Sequence, residues 1–183
     1  MQGKTHALGG LLLAEAVLMV LKRPEFGNGE SIFLIAGAVG GLLPDIDHPY
    51  SKISKTNAMT QMISAGVGAV TKHRGFTHTV LFAAIMALIP AALFFWKGLI
   101  YCDMFALGLF VGMISHLMLD SLNPTGIMWL YPFKKKKYHI MKIKTGSSRE
   151  DVFRYIETAG LVAMSYCIDR SYQIVDKLTN VIK

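Results

Sequence analysis

His116 and Asp120 stand four residues apart inside an apolar run that begins near Phe105. On a helix that spacing stacks both side chains on one face, one turn apart. In an apolar helix a buried imidazole and a buried carboxylate each cost several kcal/mol (roughly) unless something pairs with them. A divalent metal would satisfy both, and a structural hydrogen bond between the two is the ordinary alternative. The pair gains weight only if the chain brings further ligands to the same place.

Further candidates exist. His6 precedes the first apolar run, Asp45-Ile46-Asp47-His48 follows the second, and His73-Arg74-Gly75-Phe76-Thr77-His78 leads into the third. Taken singly, His6 reads as a surface residue near a terminus, and Asp45 to His48 as a solvated loop. Asp45 and Asp47, however, sit at the negative end of a helix, where carboxylates are disfavoured and repel each other; a cation reverses both effects. A mixture of imidazole and carboxylate suits zinc, manganese or iron better than calcium. His6, Asp45, Asp47, His48, His73, His78, His116 and Asp120 together exceed one tetrahedral set, so zinc is favoured and more than one ion is expected. Such a centre activates water and clamps an anionic phosphoryl group.

The elements that position these residues are apolar runs at 7–21, 31–43, 79–96 and 99–122, with 152–168 a candidate fifth. Of 183 residues, 52% are hydrophobic and 17% charged, a balance that points to a membrane protein. The fold expected is all-α: one membrane-embedded domain, a multi-pass bundle of four to five spans with a small polar cytoplasmic extension. Thr5 is a candidate N-cap for the first run, which is read as an uncleaved anchor. The second run, near thirteen residues, is short for a crossing, and Gly37, Gly40 and Gly41 give it a small-residue face. Residues 58–70 suit an interfacial helix, Pro90 a kink in the third span, and residues 138–143 a short strand or hairpin arm. Glu15 should face protein rather than lipid. Cys102 and Cys167 read as small packing residues, and His139 as a solvated histidine.

If the four spans alternate in direction, the start of the first, the end of the second, the start of the third and the end of the fourth share one face. Every candidate ligand then falls on that face. It also carries Lys4, Lys52, Lys55, Lys72, Arg74 and Lys134 to Lys137, against Lys22, Arg23 and Lys97 opposite. The positive-inside rule makes it cytoplasmic. The net charge of +7 is dispersed over several polar segments. This disfavours nucleic acid as a partner and fits topology and attraction to anionic membrane lipids, Lys134 to Lys137 above all.

Thr5-His6, Leu42-Leu43-Pro44-Asp45-Ile46-Asp47-His48-Pro49, His73-Arg74-Gly75-Phe76-Thr77-His78 and Ser115-His116 through Asp120 to Pro124 and Gly126 occur in this order. Together they resemble the bacterial YdjM-like family, whose namesake is regulated by the LexA repressor and for which a membrane-bound, metal-dependent hydrolase activity has been predicted. The resemblance covers residues 5–160. It implies metal binding by the eight residues named above and matches Arg74 to the arginine between the paired histidines. The pattern also looks like that of zinc-dependent phospholipase C and related nucleases.

The expectation is therefore an inner-membrane hydrolase acting on a phosphoester of a lipid or other anionic amphiphile at the cytoplasmic boundary. Asp47 or Asp120 would serve as general base and Arg74 would stabilise developing negative charge. The alternative is a metal-binding membrane transporter or sensor with the same ligands. A membrane anchor for DNA fits the charge but leaves the histidines and aspartates unexplained.

Overall fold

The fold comes from a computed structural model that describes residues 1–21, 28–47, 75–99 and 101–182. His48, His73, Arg74 and the expected interfacial helix at 58–70 lie outside the described residues, and Asp47 is described in its backbone alone. The described chain is all-helical: α1 (Gly3–Leu21), α2 (Asn28–Leu42), α3 (Val80–Lys97), α4 (Cys102–Asp120) and α5 (Ser148–Ile182). Two 3-10 turns, Leu43–Asp47 and Phe76–His78, extend the end of α2 and precede α3. Among the described residues, four stretches are long and apolar enough to cross a membrane: Gly3–Leu21, Gly29–Ile46, Val80–Lys97 and Cys102–Asp120.

Two expectations need correction at the first two spans. The second is not short, because the helix begins on the polar residues Asn28 to Ser31 and the 3-10 turn carries it through Pro44. Thr5 is not an N-cap, because α1 starts two residues earlier at Gly3. Elsewhere α3 runs through Pro90 as one helix, and its N-cap is Thr79, whose Oγ1 accepts from the Phe82 N–H at 3.0 Å. The 152–168 stretch and the tail beyond it form the single helix α5, which is not among the four apolar candidates. The segment between α4 and α5 contains no strand; it is an irregular arm with one antiparallel bridge, Ile127 to Tyr138.

Helix α4 is the centre of the bundle, packed by α1, α2 and α3, while α5 lies on α1. The three inner helices meet backbone to backbone at glycines. A Cβ at Gly112 of α4 would lie 2.0 Å from the Gly37 carbonyl oxygen of α2, and one at Gly41 would lie 2.2 Å from the His6 carbonyl oxygen of α1. Only residues without side chains permit such approach, the small-residue packing by which membrane helices gain dispersion contacts. An apolar layer of Ala83, Leu109 and Met113, flanked by Leu43, Phe82 and Ile114, joins α3 to α4. The outer face of α3 exposes Leu88, Ile89, Phe95 and Trp96, as expected of a helix turned toward lipid.

Candidate metal centre

Four chain segments deliver the site. His6 lies in the first turns of α1, Asp45 in the 3-10 turn after α2, His78 in the turn before α3, and His116 with Asp120 at the end of α4. The span ends expected to share a face do converge. His6, His78, His116 and Asp120 are buried, whereas Asp45 keeps 19% of its side chain exposed and marks the open side.

The distances suit metal ligation. His6 Nε2 is 3.3 Å from Asp120 Oδ1, and His78 Nε2 is 3.6 Å from Asp45 Oδ1 and 3.7 Å from Asp120 Oδ2. His116 Nε2 is 3.8 Å from Asp45 Oδ1 and 3.9 Å from Asp120 Oδ2. A tetrahedron with metal–ligand bonds of about 2.0 Å has edges of about 3.3 Å, so modest contraction would close these atoms on one ion. Among the described residues, two overlapping sets fall within ligation reach, His6 with His116 and Asp120, and Asp45 with His78 and His116.

The side chains behind the ligands aim them. His116 Nδ1 lies 2.7 Å from the Gly41 carbonyl oxygen. A carbonyl only accepts, so Nδ1 carries the proton and the Nε2 lone pair faces the site, as in most protein metal centres. Among the described residues, Nε2 of His116 and Nδ1 of His6 have no hydrogen-bond partner despite full burial. Such orphaned buried polar atoms are costly, and an ion would relieve them. Behind His78, Nδ1 shares a 3.0 Å hydrogen bond with Thr77 Oγ1. The His6 and His116 rings stack at 3.8 Å with 17° between their planes. Two charged imidazoliums would repel strongly at that distance, and neutral imidazole is the form that ligates.

Asp120 Oδ1 is already crowded with donors. It accepts from the Met1 amino group at 3.0 Å and from Asn123 Nδ2 at 2.7 Å, besides its contact with His6. A positive group thus already stands beside the carboxylate. Because Nδ1 of His116 is committed to Gly41, its single remaining lone pair serves one ion at a time. The two overlapping sets therefore compete for His116.

Asn123 and Glu150 are contributors that sequence reasoning missed. Asn123 holds Asp120 from the turn after α4. Glu150, at the start of α5, accepts from the Gln2 N–H at 2.5 Å and from Thr5 Oγ1 at 3.0 Å with Oε1, and from the Gly146 N–H at 2.6 Å with Oε2. It thereby caps the N-terminus of α1 immediately before His6. Burial alone would raise its pKa, but the Gln2 and Gly146 N–H groups, with Thr5, hold it below its ordinary 4.5. An Asn three residues beyond a His-x3-Asp pattern, and the Ser-x-x-Glu from Ser147 to Glu150, are the signals that were present. Glu15 is buried as expected and accepts from Ser165 Oγ at 2.6 Å. Cys102 is half-buried, Cys167 is exposed rather than packed, and His139 is exposed.

A family model described as "YdjM inner membrane protein" matches residues 1–172. Similar proteins include YvsG of Bacillus subtilis, named as uncharacterized, which is 35% identical over 152 residues, or 83% of this chain and 86% of YvsG. The inner membrane protein YdjM of Escherichia coli is 33% identical over 135 residues, 69% of this chain and 65% of its own length. The inner membrane protein YbcI of the same organism is 32% identical over 110 residues, 57% of this chain and 56% of its own. No solved structure matches. A multi-pass bundle with its polar residues gathered where four spans end is a member of this group: the chain belongs to the YdjM family of inner membrane proteins.

Proposed function

We propose that this protein is a metal-dependent hydrolase that acts on a phosphoester of a lipid or other amphiphile, with its site at the cytoplasmic boundary of the membrane. The observation that carries the reading is the convergence of three imidazoles and two carboxylates from four segments, with His116 fixed in its ligating tautomer by Gly41. His6, Asp45, His78, His116 and Asp120 would hold a zinc-class ion, with Asp47, His48 and His73 available for a second. When bound, such an ion supplies Lewis-acid polarisation and a water of lowered pKa. The donors already on Asp120 Oδ1 suit it to holding rather than to taking a proton. Asp47 would then serve as general base, and Arg74 would stabilise developing phosphoryl charge. The placement of the ligands at span ends supports a substrate whose reacting group lies at headgroup depth. Orientation toward the cytoplasm rests on the excess of lysine and arginine on that face.

One observation favours a second reading, a metal transporter or sensor. Glu15 and Glu157 are both buried and lie on the paired helices α1 and α5, continuing acidic groups away from the site along α1. Metal analysis of detergent-purified protein, wild type beside His116→Ala and His73→Ala, tests the centre. About one or more zinc-class ions per wild-type chain, lost in the His116 variant, is expected; a metal-free wild type purified in the presence of zinc refutes both readings. Turnover in a panel of phosphomonoester and phosphodiester lipids then separates hydrolase from transporter.

A further inference from the structure

The arm between α4 and α5 is left over by the metal centre. Residues 126–144 contain six lysines, Lys134 to Lys137, Lys142 and Lys144, and no acidic residue. All six are exposed, and none forms an ion pair with a described residue. Exposed apolar side chains stand between and beside them: Phe133 is 82% exposed, Ile140 74% and Met141 53%.

The arm is nonetheless fixed. Ile127 and Ile143 are buried, Ile127 and Tyr138 exchange backbone hydrogen bonds, and Ile140 N–H donates to the Ser121 carbonyl oxygen at 2.7 Å. Ile143 N–H donates to the Leu122 carbonyl oxygen at 3.0 Å, and Val80 N–H donates to the Trp129 carbonyl oxygen at 3.1 Å. Trp129 Nε1–H donates to Ser121 Oγ at 2.8 Å. These bonds stitch the arm to the end of α4 and the start of α3, so its outward face lies at the level where two spans leave the membrane.

A hydrogen-bonded, outward surface of exposed lysines and protruding apolar side chains at that level matches one partner. We infer that the arm docks on the bilayer surface and binds anionic phospholipid headgroups of the leaflet that the metal centre faces. Phe133, Ile140 and Met141 enter the boundary between headgroups and acyl chains, where apolar side chains gain by leaving water. The lysines above them take the phosphates of anionic lipids, and with no acid in the segment the attraction is uncompensated. This reading is independent of any catalytic activity at the histidines.

The chain has two tryptophans, Trp96 and Trp129, at opposite ends of α3. A Trp96→Phe variant therefore reports on the arm alone. It is reconstituted in vesicles of equal phosphatidylcholine and phosphatidylglycerol with brominated acyl chains on one lipid or the other. Quenching of Trp129 by the anionic lipid is expected to exceed that by the zwitterionic lipid by about twofold or more at 0.1 M salt. The excess should vanish at 1 M, as the screening length falls from about 10 Å to about 3 Å. Replacing Lys134 to Lys137 together by alanine should bring the ratio to near one, and Trp96, read in a Trp129→Phe variant, should show a smaller ratio than Trp129. Equal quenching by the two lipids at low salt overturns the inference, as does a preference that survives both high salt and loss of the four lysines. Equal quenching combined with a Trp129 response to a duplex oligonucleotide overturns it in favour of nucleic acid. The salt series needs no lysine substitution, so a misfolded quadruple variant leaves the decision intact.

Discussion

Replacing Gly112 with alanine tests whether the glycine contacts position the proposed metal ligands. The new Cβ would meet the Gly37 carbonyl oxygen at 2.0 Å, where real contacts stay above 3.0 Å. Both partners are helix backbone, so α2 and α4 must part by about 1 Å, an overpacking that costs about 1–3 kcal/mol. His116 lies one turn beyond Gly112 on α4, and Gly41 one turn beyond Gly37 on α2. The same movement therefore stretches the 2.7 Å bond from His116 Nδ1 to the Gly41 carbonyl toward about 3.7 Å, outside hydrogen-bonding range. Loss of that support should weaken metal binding by about 10- to 100-fold. At roughly 2–4 °C per kcal/mol, the melting temperature should drop by about 2–12 °C. The assay is thermal unfolding in detergent, with zinc affinity measured by chelator competition in the same preparation. Gly160→Ala is the matched control, since its Cβ meets only the flexible Leu12 side chain, at 3.3 Å. Wild-type stability and wild-type zinc affinity in Gly112→Ala would refute the reasoning, because the helices would then have room that the backbone contacts deny.

Two carboxylates of α5 make opposite pH predictions. Burial, with the nearby Glu150 charge adding to it, pushes Glu157 from 4.5 up to about 8, so it is neutral in the folded chain at pH 7. A raised carboxyl pKa means that the unfolded chain releases its proton first, so Glu157 costs no stability below pH 4.5 and an increasing amount up to about 8. Glu157→Gln should raise the melting temperature at pH 8 and flatten its fall between pH 5 and pH 8 (roughly the window of the shift); an unchanged slope would count against the burial argument. Glu150, held below 4.5, has the reverse sign: its stabilisation is complete above the unfolded value and disappears as pH falls through the folded one. Glu150→Gln should destabilise the neutral protein by about 1–3 kcal/mol and remove the acid-limb loss, measured by the same unfolding assay over pH 3 to 7 (about the range in which carboxylates titrate).

Residue types and alternation of spans made much of the site legible. His6, Asp45, His78, His116 and Asp120 were recognisable because apolar runs isolate them and because four alternating spans return four particular ends to one face. The close packing of α2 was legible from Gly37, Gly40 and Gly41, since nothing else explains so many glycines in an apolar helix. The length of α2 was not. Its first turn is polar and its last turn contains Pro44, and hydropathy reads both as loop although a 3-10 turn accommodates the proline. The start of α1 was misread for a related reason. Its capping group is not the local Thr5 hydroxyl but the carboxylate of Glu150, 145 residues away in sequence, which a local motif search does not reach. Asn123 read only as a helix breaker, because its role depends on the direction in which the turn after Asp120 folds back.

The Glu150 clasp also bears on how the protein is made. The segment carrying His6 leaves the ribosome well before Glu150, the carboxylate that completes its leading turn. Until α5 arrives, the Gln2 N–H and the Thr5 hydroxyl lack the acceptor that orders them, although all four spans can already be inserted. Fastening of this turn thus waits for the synthesis of α5. A nascent chain that stalls before residue 150 would hold His6 in the membrane without the fastening of the turn that carries it.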